Sequence, residues 1–130
     1  MSGRVTVRAG DLRSDALGSG YDLVLVSAIC HMLSPSENAD LFRRVHAALA
    51  PGGRLVLHEF ILRPDKTAPR AAVLFSLNML VGTAGGANYS QPEYTAWLKA
   101  AGFTAIRRLP TPEPAGVIVA ARAASRARRA

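Results

Sequence analysis

The chain has 130 residues, 49% of them hydrophobic, with a formal net charge of +7. That size and apolar content suit one modest domain with a packed core and exclude a wholly disordered chain. The charge does not point to nucleic acid: the last nine residues, RAASRARRA, hold four arginines and no acid, the balance without them is +3, and no basic run is interleaved with aromatics.

Cys30 is the single cysteine, so no intramolecular disulfide can form and nothing suggests secretion. The opening MSGRVTVRAG lacks the apolar stretch of a signal peptide, and no apolar run reaches the roughly 18 residues a membrane span needs. The expectation is a soluble cytoplasmic protein, with a folded unit over residues 1–122 and a basic, disordered tail over 123–130.

Val5 to Ala9 alternates β-branched residues and reads as the first strand. Tyr21 to Ala28, YDLVLVSA, is nearly continuous apolar, the pattern of a strand covered on both faces. Ser34, Pro35 and Glu37 then spell a helix start, with Ser34 as cap, Pro35 in the first position and Glu37 closing a capping box. Leu41, Phe42, Val45, Ala48 and Leu49 form one apolar stripe, and Pro51-Gly52-Gly53 stops the helix. RLVLHEFIL is the next strand, making a strand–helix–strand crossover. An apolar helix over 68–81 follows, then a glycine-containing loop. A second capped helix runs from Ser90 to Ala101, with Glu93 at the capping-box position. Two closing strands, 103–109 and 116–122, are separated by a short turn-rich segment and read as an antiparallel hairpin. The order implies an α/β sheet, mostly parallel with an antiparallel C-terminal hairpin.

GDL, then YDLVLVSAICHMLSPSENADLFRRVHAALAPGGRLVLHEFIL, then Ser90, Glu93, Tyr94, Leu98, Gly102 and Phe103 in order, resembles the C-terminal part of the catalytic domain of class I, S-adenosylmethionine-dependent small-molecule O-methyltransferases of the hydroxyindole and caffeate type. The resemblance runs from about Val5 to Arg122. It implies a Rossmann-like sheet, S-adenosyl-L-methionine as cofactor and a small hydroxylated aromatic or secondary metabolite as substrate. His31 falls on the catalytic histidine and Glu59 on one of two acids that flank it. The second acid falls on Asn88, where this chain departs. Asp11 and Leu12 fall where the family holds the cofactor's adenine, and Ser27 where many plant relatives have a cofactor-contacting lysine. Met79 falls on a methionine that walls the substrate ring.

Physical chemistry gives these roles a basis. Methyl transfer needs alignment and a deprotonated oxygen. A phenol ionises near pH 10, and an imidazole with an ordinary pKa near 6.5 can take its proton during attack. A carboxylate on the other ring nitrogen fixes the tautomer. His31 and Glu59 would end adjacent parallel strands, at the carboxyl edge where α/β folds place ligands. Taken alone, each residue has a plainer reading. A lone strand-end histidine is more often a polar loop residue, Glu59 an arginine partner, Asp11 a turn residue and Met79 core filler. His46 reads as a surface helix residue, and His58 points away from Glu59 by strand alternation.

The family's first strand, its glycine-rich cofactor loop and the acid that grips the ribose have no counterpart in this sequence. Gly82, Gly85 and Gly86 come late, after a helix. In a family whose strand order is 3-2-1-4-5-7-6, the chain corresponds to a sheet without its first two strands, and the N-terminal dimerisation domain is lacking too. The leading expectation is a truncated O-methyltransferase, inactive as an isolated chain: a fragment, a mis-called start site, or one half of a split gene whose complementing N-terminal chain is separate. The alternative is a non-catalytic or decayed module that packs against a partner chain.

Overall fold

The structure, a computed structural model, describes residues 3–124; residues 125–130 of the expected tail lie outside them. The elements are β1 (Tyr21–Ser27), a single 3-10 turn (Cys30–Met32), α1 (Pro35–Ala48), β2 (Leu49–Leu62), α2 (Arg70–Gly82), β3 (Tyr89–Ser90), α3 (Gln91–Ala100), β4 (Thr104–Leu109) and β5 (Ala115–Ala121). The sheet order is β1-β2-β5-β4, with the two-residue β3 paired to the end of β2. β1 and β3 run parallel to β2, while β5 is antiparallel to both β2 and β4. The mixed α/β architecture and its closing hairpin match the sequence expectation.

The helix punctuation acts as read. Ser34 Oγ accepts from the Glu37 N–H, and Glu37 accepts from the Ser34 N–H at 2.7 Å. At α3, Glu93 Oε2 accepts from both the N–H and the hydroxyl of Ser90. The carbonyls at the end of α1 are satisfied from a distance: Arg122 Nη1 donates to His46 O at 3.1 Å and Ala47 O at 3.2 Å. Strand β2 begins at Leu49, ahead of Pro51-Gly52-Gly53, so Leu49 belongs to the strand and not to the helical stripe. A Cβ on Gly53 would lie 2.9 Å from Tyr21 O, so only glycine lets β1 and β2 approach there.

One core lies between the sheet and the α1–α3 layer. Val26, Leu55, Leu57, Ile61 and Ile118 point from the strands, and Leu41, Phe42, Val45, Tyr94 and Leu98 from the helices. Burying each large apolar side chain contributes about 1.5–3 kcal/mol. His46, expected on the surface, is half-buried with its ring edge-on to Phe103 at 5.0 Å.

Two expectations are corrected. Val5 to Ala9 forms no strand: Val7 is 90% exposed and the segment joins no ladder. Alternation favours a pleated conformation, but with no neighbouring strand the backbone has no partners and the valines have no surface to cover. β1 is not covered on both faces. Val24 and Val26 turn towards α1, whereas Leu23 and Leu25 are 57% and 61% exposed. Among the described strands, only β2 pairs with β1, so its outer edge is open. No helix among the described residues is long and apolar enough to cross a membrane.

Candidate active site

The parallel register pairs Ser27 with His58, and the Ala28 N–H still bonds to His58 O at 3.0 Å. β1 therefore ends level with His58, one residue before Glu59 in β2, and the chain turns at once into the 3-10 turn that carries His31. Glu59 shares a face with Leu55, Leu57 and Ile61, so its side chain points under that turn rather than into solvent.

Glu59 is 2% exposed and fully engaged. Oε1 accepts from the N–H groups of Ile29 and Cys30, each at 2.7 Å, and Oε2 lies 2.8 Å from His31 Nδ1. With a carboxylate as the acceptor, the proton on that bond sits on Nδ1. Nε2 makes no hydrogen bond among the described residues. His31 is 8% exposed, and Phe75 of α2 meets its ring edge-on at 4.9 Å. Phe75 also packs against Phe60 at 5.0 Å, which fixes α2 across the carboxyl end of β2. Met79 lies one turn beyond Phe75 on the same helix face and is half-buried.

Asn88 is buried, but its hydrogen bonds go to α2. Nδ2 donates to Ala72 O at 2.6 Å, and the backbone N–H donates to Ser76 Oγ at 3.0 Å. No bond links it to His31 among the described residues, so Glu59 is the carboxylate that holds the ring.

The residues assigned to the cofactor gather elsewhere, beside the open edge of β1. Leu12, Leu17, Tyr21, Leu25 and Ser27 line an apolar groove of about 470 Å³, and Asp11 and Leu12 line an adjoining one. Asp11 forms a turn, its Oδ1 accepting from the Arg13 N–H at 2.8 Å. Ser27 Oγ lies 2.9 Å from His58 Nδ1, on the face opposite Glu59. Cys30 is fully buried, and burial together with the neighbouring Glu59 charge pushes its thiol pKa well up, so it stays a neutral thiol. No cluster of three or more metal-ligating side chains occurs among the described residues.

Two residues that shape this site were not singled out from sequence. Asn38 of α1 donates to Cys30 O, the residue before His31. Gly86 sits where a Cβ would collide with His31 O and lie 3.1 Å from Met32 Cα. The Gly85-Gly86 pair, out of place for a cofactor loop, serves as close packing over the 3-10 turn. Nothing in the local sequence pattern marks either role.

The chain thus combines a mixed α/β sheet with a buried carboxylate–imidazole pair just past the end of β1. Residues 1–104 match the O-methyltransferase domain family. The chain is 40% identical over 125 residues to 3-hydroxy-5-methyl-1-naphthoate 3-O-methyltransferase of Streptomyces sahachiroi, covering 95% of this chain and 36% of that one. It is 34% identical over 125 residues to L-tyrosine C(3)-methyltransferase of Streptomyces lavendulae, covering 92% and 34%. Among solved structures, human N-acetylserotonin methyltransferase in complex with S-adenosylmethionine superposes with a TM-score of 0.82 at 28% identity, over 89% of this chain and 33% of that one. The chain belongs to the O-methyltransferase domain family. It spans about a third of the length of the curated relatives it matches.

Proposed function

We propose that this chain carries the acceptor-deprotonating part of an S-adenosylmethionine-dependent O-methyltransferase acting on a small aromatic or related secondary metabolite, with His31 as general base. The observation that carries the reading is the Glu59–His31 bond at 2.8 Å, with the other Glu59 oxygen taken by two backbone N–H groups. Those bonds leave Glu59 one task towards the ring, holding Nδ1–H. His31 Nε2 then accepts the hydroxyl proton as the substrate oxygen attacks, and Glu59 faces the positive charge that develops on the ring. Phe75 and Met79 wall the acceptor ring, and Asn88 stands in the same loop-and-helix region as a further substrate-side residue.

S-adenosylmethionine, when bound, supplies an electrophilic methyl group on a sulfonium leaving group. The groove along β1 fits its adenine end: Leu12 offers an apolar face, Asp11 an acceptor for an exocyclic amine, and Ser27 a hydroxyl near the sheet edge. A further segment packed on the open edge of β1, in the same chain or a separate one, would complete the cofactor site. The relative from Streptomyces lavendulae is named for methylation of a tyrosine carbon. Removing a phenol proton activates both the oxygen and the carbon beside it, so a base placed like His31 serves either outcome and substrate orientation selects between them.

In a form of the protein that includes a glycine-rich strand-loop-helix segment, His31→Ala is expected to lower turnover by about 100-fold or more with cofactor affinity kept. Unchanged turnover removes His31 from the mechanism. The isolated 130 residues are expected to bind S-adenosylmethionine weakly, and calorimetry showing micromolar binding by this chain alone overturns that part. The second reading, a non-catalytic module seated on a partner, is favoured by one observation, the open β1 edge beside exposed Leu23 and Leu25. Coding sequence upstream of Met1 decides between them: an in-frame glycine-rich segment supports the enzyme, and unrelated sequence supports the module.

A further inference from the structure

We infer that Asn38 is a positioning residue for His31. It stands in the first turns of α1, where asparagine is a poor helix former, and it is wholly buried, where an amide costs stability unless bonded. Its Nδ2 donates to Cys30 O at 2.9 Å and lies 3.2 Å from both Leu33 O and Ser34 O. Three carbonyls around one amide nitrogen fix the orientation of the group, because the flipped amide would set oxygen against oxygen. Oδ1 is buried and finds no partner among the described residues. The cost of that bare oxygen is set against the three contacts that Nδ2 makes with the turn.

The grip has a counterpart. Glu59 holds the entry of the 3-10 turn through the N–H groups of Ile29 and Cys30, and Asn38 ties the carbonyl of its first residue, Cys30, to that of Leu33 just past its end. Tyr89 Oη adds a second donor to Leu33 O at 2.6 Å. His31 lies between the two holds. Its Nδ1 stays within 2.8 Å of Glu59 only while the turn keeps its pitch, so Asn38 acts on the base through the backbone and touches no reacting atom.

The inference rests on the reading of His31 as base, yet its test is independent of turnover. Imidazole nitrogen shifts in the full 130-residue chain, labelled at histidine, report the His31 tautomer directly. The wild type is expected to hold Nδ1–H. In Asn38→Ala the Nδ1–H form falls at least about tenfold relative to Nε2–H, the equivalent of one lost buried hydrogen bond. Asn38→Ser, with a shorter donor, is expected to fall between the two. Leu98→Ala, which removes core packing away from the turn, keeps the wild-type tautomer. A wild-type tautomer in Asn38→Ala, or an equal shift in Leu98→Ala, overturns the assignment. So does failure of both Asn38 variants to fold, which would make the residue a support of the fold alone. A His31→Ala variant with full turnover would sink the base reading and leave the tautomer comparison standing.

Discussion

Gly86 lies against the carbonyl of His31 so closely that any Cβ would penetrate that oxygen, and the same Cβ would stand 2.6 Å from Thr83 Oγ1. The glycine loop and the 3-10 turn are therefore packed as one unit, and the loop's own shape is held by the Gly86 N–H donating to Thr83 Oγ1 at 2.7 Å. Gly86→Ala is expected to push the turn outward and cost about 1–3 kcal/mol, as overpacking does. Thermal unfolding reads the cost, and the turnover of a complete form of the enzyme should fall with it. An unchanged melting temperature would show that the loop yields freely.

Glu59→Gln is expected to invert the histidine rather than merely loosen it. A glutamine keeps its carbonyl oxygen on the N–H groups of Ile29 and Cys30, which need an acceptor, and turns its amide donors towards His31. Nδ1 must then accept, the ring proton moves to Nε2, and the acceptor face becomes a donor. Circular dichroism should show the fold kept, nitrogen shifts should show Nε2–H, and turnover should fall about as far as in His31→Ala. Persistence of Nδ1–H with full turnover would contradict this.

The α3 capping box should make part of the stability acid-sensitive. Burial pushes the Glu93 carboxyl up, but Lys66 at 2.8 Å and the Ser90 donors outweigh it and hold its pKa below the ordinary 4.5. A depressed native pKa gives stability that is complete above the unfolded value and is lost as the pH falls through the native one. Glu93→Gln is therefore expected to lower stability at pH 7 by about 0.5–2 kcal/mol, the range for losing a helix cap. The difference from wild type should shrink below about pH 4.5 in melts taken from pH 7 to pH 3. A constant difference across that range would show that the charge is immaterial.

The readable parts of this sequence were those written in local chemistry. Ser34-Pro35 with Glu37, and Ser90 with Glu93, name helix starts because each box is closed within four residues. His31 and Glu59 could be brought together because two strand ends and one connecting helix are enough to place them. Asn38 was not legible: its partners are backbone carbonyls, which any sequence supplies. Gly86 was not legible because its reason is another segment's backbone. Val5 to Ala9 misled because strand pattern describes what a segment can pair with and says nothing of whether a neighbour is there. Leu23 and Leu25 misled likewise, since their run promised a second cover that the described residues do not provide.

Cys30 gives the site a built-in clock. Its sulfur sits inside the turn, one residue before the base, wholly hidden and held as a neutral thiol. A thiol-modifying reagent can reach it only when the turn opens, so the labelling rate counts those openings. Because Glu59 and Asn38 both bond to the Cys30 backbone, that single reaction reports how often the two holds on the His31 turn let go together.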